Sequence, residues 1–211
     1  MKRVLLKFQS NIFQVENILT LISLKLMDKR IEQGNLKYIE AHREITNICN
    51  ELLKTLSFSK ITFNEISKYS NYSKTTIYEH FDSDINLLFK NCLEYFRNSF
   101  LSSLILTDDY KKNILHIYKK FFNFGINNSL YFKNLHMIAV NLNTLDNPQY
   151  QYKSIISETL LENFRLHNAK LDGVTYWALA TNILLQVGDS FFDINKEKQH
   201  FFYILMKDLK K

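Results

Sequence analysis

The sequence predicts an all-α protein, and three observations carry that prediction. Only 4 glycines and 1 proline stand among 211 residues. That is too few for the turns of an all-β chain or the loops of a dinucleotide-binding α/β enzyme. Hydrophobic residues make up 46% and aromatics 14%, enough to bury a core and outside the composition of a disordered chain. Apolar residues then recur at steps of three and four, the period of an amphipathic helix. The length suits one or two compact units.

Residues 1–34 read as an N-terminal extension. Lys2 and Arg3 open it like a signal peptide, but Lys7 and the polar run Gln9-Ser10-Asn11 interrupt the apolar stretch. No small-residue cleavage site follows. Leu5, Phe8, Ile12, Val15, Leu19, Ile22 and Leu26 keep a 3-4-3-4-3-4 spacing, which makes one apolar helical seam. Two readings stand side by side: an extra helix that packs on a partner or on the body, or a start placed too far upstream, with Met27 opening the chain proper. Residues 28–37 are polar, with Gly34-Asn35 expected to break the chain. No uncharged apolar run in the sequence is long enough to span a bilayer.

A helix is expected over residues 37–56, striped by Ile45, Ile48, Cys49, Leu52 and Leu56. Residues 62–81, TFNEISKYSNYSKTTIYEHF, read as two short helices with a tight turn between them. Thr62 or Asn64 can cap the first, because a side-chain oxygen there accepts an unpaired amide hydrogen of the opening turn. Ile66 and Tyr69 are expected to point inward. Asn71, in the polar break Ser70-Asn71-Tyr72-Ser73, is best able to take a left-handed backbone. Ser73 caps the second helix, whose inward residues are Ile77 and Phe81. Its exposed side then carries Lys74, Thr75, Thr76, Tyr78 and His80, with Glu79 the one acid. That is chemistry suited to phosphates and base edges.

From Ser83, a natural cap, a long helix is expected to about residue 106, with Ile85, Leu88, Phe89, Cys92, Phe96 and Phe100 on one stripe. Being apolar over so much of its circumference, it must be buried on more than one side. Further helices are expected over 108–127, 128–142, 148–168 and 173–192, the last lined by small residues including Ala178, Thr181 and Gly188. A final one is marked by Phe201, Phe202, Leu205 and Leu209.

The net charge is +6, which suits a polyanionic partner. Across residues 54–78 Lys54, Lys60, Lys68 and Lys74 face only Glu65, so the basic patch is local and modest. Cys49 and Cys92 both fall within helical apolar patterns and read as buried free thiols in a reducing cytosol. Nothing points to an enzyme, a cofactor or a metal. Glu197-x-x-His200 has the spacing of a di-iron ligand pair, but such sites need a second copy and further carboxylates. A phosphate-binding glycine loop, a nucleophile elbow and a zinc pattern are all missing.

The stretch from Thr62 to Leu87 resembles the DNA-binding signature of TetR/AcrR-type transcriptional regulators, roughly T-x-x-x-I-A-x-x-A-G-V-S-x-x-T-L-Y-x-H-F-x-x-K-x-x-L. Thr62, Ile66, Ser73, Thr76, Ile77, Tyr78, His80, Phe81 and Leu87 match without a gap, over about one eighth of the chain. Ser67, Ser70, Asn71 and Tyr72 depart from the family's Ala, Ala, Gly and Val. Asp84 stands where the family often has a lysine that touches phosphate. It suits the helix start but repels DNA.

The resemblance implies a three-helix helix-turn-helix head (35–84) joined by a long helix to a helical body (85–211) for effector binding and dimerisation. It implies a cytoplasmic, ligand-responsive regulator, read as a repressor, that binds an inverted repeat of double-stranded DNA as a homodimer. The helices at 148–168 and 173–192 would form the dimer interface. Thr62, Ser73, Lys74, Thr75, Thr76, Tyr78 and His80 would form the DNA-binding set. Within it Tyr78 and His80 would hold phosphates, and Lys74, Thr75 and Thr76 would reach bases, Lys74 equally a phosphate. Phe96, Phe100, Tyr118, Phe121, Phe122 and His136 are the candidates to line a pocket for a small-molecule effector, although an aromatic at helical spacing is first of all core. Asp84 and the dilute basic charge motivate a rival: an interaction protein of the same fold that acts through a protein partner.

Overall fold

The structure, a computed structural model, describes residues 29–146 and 173–209. The seam expected over 1–27 and the helix expected over 148–168 lie outside the described residues. Among the described residues the chain is all-helical, with eight α-helices and no strand: α1 (Lys29–Thr55), α2 (Phe63–Tyr69), α3 (Lys74–His80), α4 (Ile85–Ser102), α5 (Tyr110–Asn127), α6 (Ser129–Asp146), α7 (Gly173–Leu185) and α8 (Ile194–Leu209). A 3₁₀ turn, Phe58–Lys60, follows α1. The chain divides into two compact units, Met1–Glu44 and Ile45–Lys211. No helix of the described residues is long and apolar enough to cross a membrane.

In the first unit α1 already begins at Lys29 and runs through Gly34-Asn35, where a break was expected. One glycine inside a helix costs only about 1 kcal/mol, and Glu32, Gln33, Leu36 and Lys37 around it are good helix formers. Without a proline nothing there forces a stop.

The second unit starts from the buried stripe Ile45, Cys49, Leu52 and Leu53 of α1, which packs in one core with Ile61, Phe63, Ile66, Ile77 and Phe81. Thr62 caps α2, its hydroxyl accepting from the Glu65 amide at 3.1 Å. Tyr69 is 60% exposed rather than inward, because Phe63 and Ile66 already fill the inner face and Tyr69 is the last residue of the helix. The turn after it has no left-handed residue. The Ser67 hydroxyl donates to the Tyr72 carbonyl at 3.1 Å, and the Tyr72 amide donates to Ser70 Oγ at 3.3 Å. Hydroxyls shape this turn.

Left-handed backbone appears instead at Asp82 and Ser83, with φ of 49° and 60°. This removes Ser83 as the cap of α4, since a capping residue needs extended backbone. Asp84 takes the role, accepting from the Asn86 amide at 2.9 Å. At its other end α4 stops at Ser102, short of residue 106. The Ser102 and Ser103 hydroxyls donate to the carbonyls of Ser99 and Phe100 at 3.0 and 2.6 Å, a local bonding pattern that competes with helix continuation. Asp109 then caps α5 through the Lys111 and Lys112 amides.

Around α5 the core becomes aromatic. Phe121 lies 3.9 Å from Trp177 between ring centroids, and Tyr118 and Phe122 each lie about 5 Å from Phe201. Helix α7 packs against α5, α6 and α8. Gly125 permits its approach to α5: a Cβ there would stand 2.6 Å from Leu184 Cδ1. Gly188 lies beyond the end of α7, at φ +93°, rather than on a helical face. The Tyr176 hydroxyl donates to Asp208 Oδ2 at 2.7 Å and ties α7 to α8.

Candidate functional site

Two places on the second unit offer chemistry to a partner: the outer face of α3, and a cleft walled by α1, α4, α5 and α6.

Helix α3 is set by its ends and by two inward side chains. The Ser73 hydroxyl accepts from the Thr76 amide at 3.1 Å and bonds Thr76 Oγ1 at 2.9 Å. Ile77 and Phe81 are buried. Lys74 and Thr75 therefore stand on the exposed side, and Thr76 is half-exposed. Tyr78 is half-buried, its ring edge-on to Phe63 at 4.9 Å, with the Lys74 ammonium 5.2 Å from the ring centroid. A ring already in contact with two side chains loses little freedom when its hydroxyl meets a partner.

His80 is the correction on this face. It was expected on the exposed side, and it is buried. Position 80 follows Ile77 by three residues and so shares its inward face. Burial lowers its pKa below the ordinary histidine value, which keeps the ring neutral at pH 7. Cationic charge on α3 therefore comes from Lys74. On α2 Lys68 is paired with Glu65 at 2.7 Å. Thr62 and Ser73, expected in a partner-binding set, already serve as helix caps.

The six aromatic-pocket candidates separate. Phe96 and Phe100 line the cleft, together with Phe124 and Tyr131. Tyr118, Phe121 and Phe122 are buried in the aromatic core, and His136 is half-buried on α6; none of these four lines the cleft. Burial pushes the Tyr118 hydroxyl's pKa up and the His136 pKa down.

The cleft encloses about 700 Å³. Its floor is the ring cluster Phe96, Phe100, Phe124 and Tyr131, with Phe96 and Phe124 centroids 4.7 Å apart. Its rim is polar. Beneath it the Tyr131 hydroxyl donates to Asn50 Oδ1 at 2.7 Å, and Asn50 Nδ2 donates to the Thr46 carbonyl. Burial raises the Tyr131 pKa, so the hydroxyl keeps its proton and remains the donor.

Asn134 was missed in the sequence and is structurally central. Its amide donates to the Leu53 and Leu56 carbonyls, both at 2.7 Å, and its oxygen accepts from the Phe58 amide at 2.8 Å. One side chain thus satisfies the end of α1 and fastens it to α6. The asparagines of the cleft were missed as well. Their signal was the i, i+3 spacing of Asn47 and Asn50 and the i, i+4 spacing of Asn123 and Asn127, which puts each pair on one helical face.

The two cysteines are free and buried, with Cys92 Sγ 3.8 Å from the Thr46 carbonyl. Burial and the neighbouring Cys49 thiol raise the Cys92 pKa well above the usual thiol range, which makes it a poor nucleophile. No group of histidines, cysteines and carboxylates among the described residues could hold a metal ion. In comparisons with known proteins no family model matches this sequence, and no curated protein matches it significantly.

Proposed function

We propose that the chain is a ligand-responsive, DNA-binding transcriptional regulator, a repressor that binds an inverted repeat as a dimer. The observation that supports this reading best is the outer face of α3. Lys74, Thr75 and Thr76 are offered to a partner from a short helix capped by Ser73, and Tyr78 packs beside them. In this reading α3 enters the major groove. Lys74 and Thr75 reach base edges, and Tyr78 donates its hydroxyl to a phosphate. Dimerisation would use α7 and α8, whose exposed Leu179, Tyr203 and Met206 leave apolar surface uncovered.

Selection from a pool of randomised duplex DNA tests the reading. An enriched inverted repeat, with half-sites about one helical turn apart or somewhat more, is the expected outcome. A pool that stays random after repeated rounds contradicts it.

One observation favours the rival, an interaction protein acting through a protein partner. With His80 neutral and Lys68 paired, α3 offers a single lysine, and Glu79, Asp82 and Asp84 lie close by in the chain. Association with a protein that is indifferent to salt would support that reading, because counterion release makes DNA binding steeply salt-dependent.

A further inference from the structure

We propose that the cleft between α1, α4, α5 and α6 binds an uncharged heteroaromatic molecule whose edge carries both hydrogen-bond donors and acceptors. This is the chemistry of a nucleobase or a heteroaromatic amide. The volume, about 700 Å³, lies within the range of small-molecule sites. The floor selects a ring. Phe96, Phe100, Phe124 and Tyr131 are fixed by one another, Tyr131 standing edge-on to both Phe96 and Phe124 at 6.3 and 5.9 Å. They give a flat guest an apolar face.

The rim selects the edge of that ring. Asn47, Asn123, Asn127 and Asn128 line the cleft, and a carboxamide carries a donor and an acceptor side by side. Asn123 Oδ1 already accepts from Lys198 at 3.3 Å and Asn128 Nδ2 donates to the Phe124 carbonyl at 3.0 Å, which leaves the Asn123 donor and the Asn128 acceptor to a guest. Ser99 adds a hydroxyl that serves in either sense, and the Ser103 hydroxyl, which donates to the Phe100 carbonyl, is left to accept. Asn47 Oδ1 is buried with no hydrogen-bond partner among the described residues. A buried acceptor left that way is costly, and a donor brought by a guest would relieve it once the amide turns.

The charges select against an ion. The Lys54 ammonium is paired with Glu51 at 2.5 Å. The Lys120 ammonium is hydrogen-bonded to the Ser103 carbonyl, at the negative end of the α4 dipole. A cationic guest would face two ammoniums against one carboxylate, an anion finds no lining ammonium without a partner, and a neutral guest leaves both partnerships intact.

The walls give occupancy a mechanical consequence. Asn47 and Asn50 belong to the helix that leads into α2 and α3, and Phe96 and Phe100 belong to α4, which follows them. A guest would brace both sides of the α2–α3 pair. That the guest is the effector rests on the regulator reading; that the cleft binds it does not.

Three isosteric probes test the site on the full chain without DNA: quinoline-3-carboxamide, quinoline-3-carboxylate and the cationic 3-(aminomethyl)quinoline, titrated by ligand-detected NMR. The carboxamide is expected to bind about tenfold tighter than either charged probe. Ser99→Trp, at an exposed rim position, is expected to fill the cleft and weaken binding at least about tenfold with melting temperature unchanged. Asn127→Asp is expected to move the preference toward the cation. A charged probe that binds the wild type best, an undiminished Ser99→Trp variant, or no binding of any probe at millimolar concentration would each overturn the proposal. If the carboxamide binds and DNA affinity does not move at saturation, the effector role fails and the site stands.

Discussion

The packing around α2 and α3 differs in kind from the packing around α5, α7 and α8. In the first region short helices rest on isoleucines (Ile45, Ile61, Ile66, Ile77), and side-chain caps at Thr62 and Ser73 fix their starts. In the second, long helices meet through rings: Tyr118, Phe121, Phe122, Trp177 and Phe201. Caps and short apolar spacings are local, so they place a particular face toward solvent within a few residues. Ring contacts join residues far apart in the chain, and they build bulk. The first region is arranged to present side chains, and the second to hold the frame.

The contrast can be broken at its strongest point by Phe121→Ala. The ring is fully buried against Trp177, Phe132 and Phe100, and its loss should cost about 3–5 kcal/mol in chemical denaturation. Asn134→Leu comes next, because it strands the Phe58 amide and two carbonyls. A loss of at least about 2 kcal/mol is expected, and an unchanged midpoint would mean that water satisfies those groups. Ser73→Ala removes a cap worth about 1 kcal/mol. Its effect should appear chiefly as faster hydrogen exchange in α3, leaving the aromatic region untouched.

The smallest effect is one of pH. His80 and His136 both have pKa values lowered by burial, so the unfolded chain takes up protons first as pH falls. Stability should be intact at pH 7 and decline as pH drops below the ordinary histidine pKa of about 6.5. His80→Asn should flatten that decline in a series of denaturation curves, and a profile as steep as the wild type would show that His80 carries none of it.

The same division explains what could be read in advance. The Ser73 cap, the inward pair Ile77 and Phe81, and the all-helical class depend on neighbours in sequence, and they were legible; the first cap was narrowed to Thr62 or Asn64, and the structure selects Thr62. The failures came where a local signal was outvoted. Tyr69 had helical spacing but no room left on the inner face. Asn71 was the better left-handed candidate, yet two serine hydroxyls shaped that turn, and the left-handed residues fell at Asp82 and Ser83. His80 looked like part of an exposed polar run, although its three-residue step from Ile77 turned it inward. The cleft was harder still. Phe96 and Phe100 were recognisable as aromatic, but only tertiary packing decides which rings face a cavity and which, like Tyr118, Phe121 and Phe122, are sealed in the core. Asparagine is abundant in this chain, and that hid the amides of the rim and the clasp formed by Asn134.

The proposed function turns on DNA binding by the α3 face. The most direct measurement is affinity for the duplex immediately upstream of the chain's own coding region, across a salt series, for the wild type beside a Lys74→Ala, Tyr78→Phe double variant. The wild type should bind tightly and weaken steeply with salt. The variant should lose affinity and salt slope while keeping its fold, since Lys74 is exposed and Phe retains the Tyr78 ring packing. Feeble, equal binding of both proteins to that duplex and to an unrelated one would contradict the account and direct attention to a protein partner.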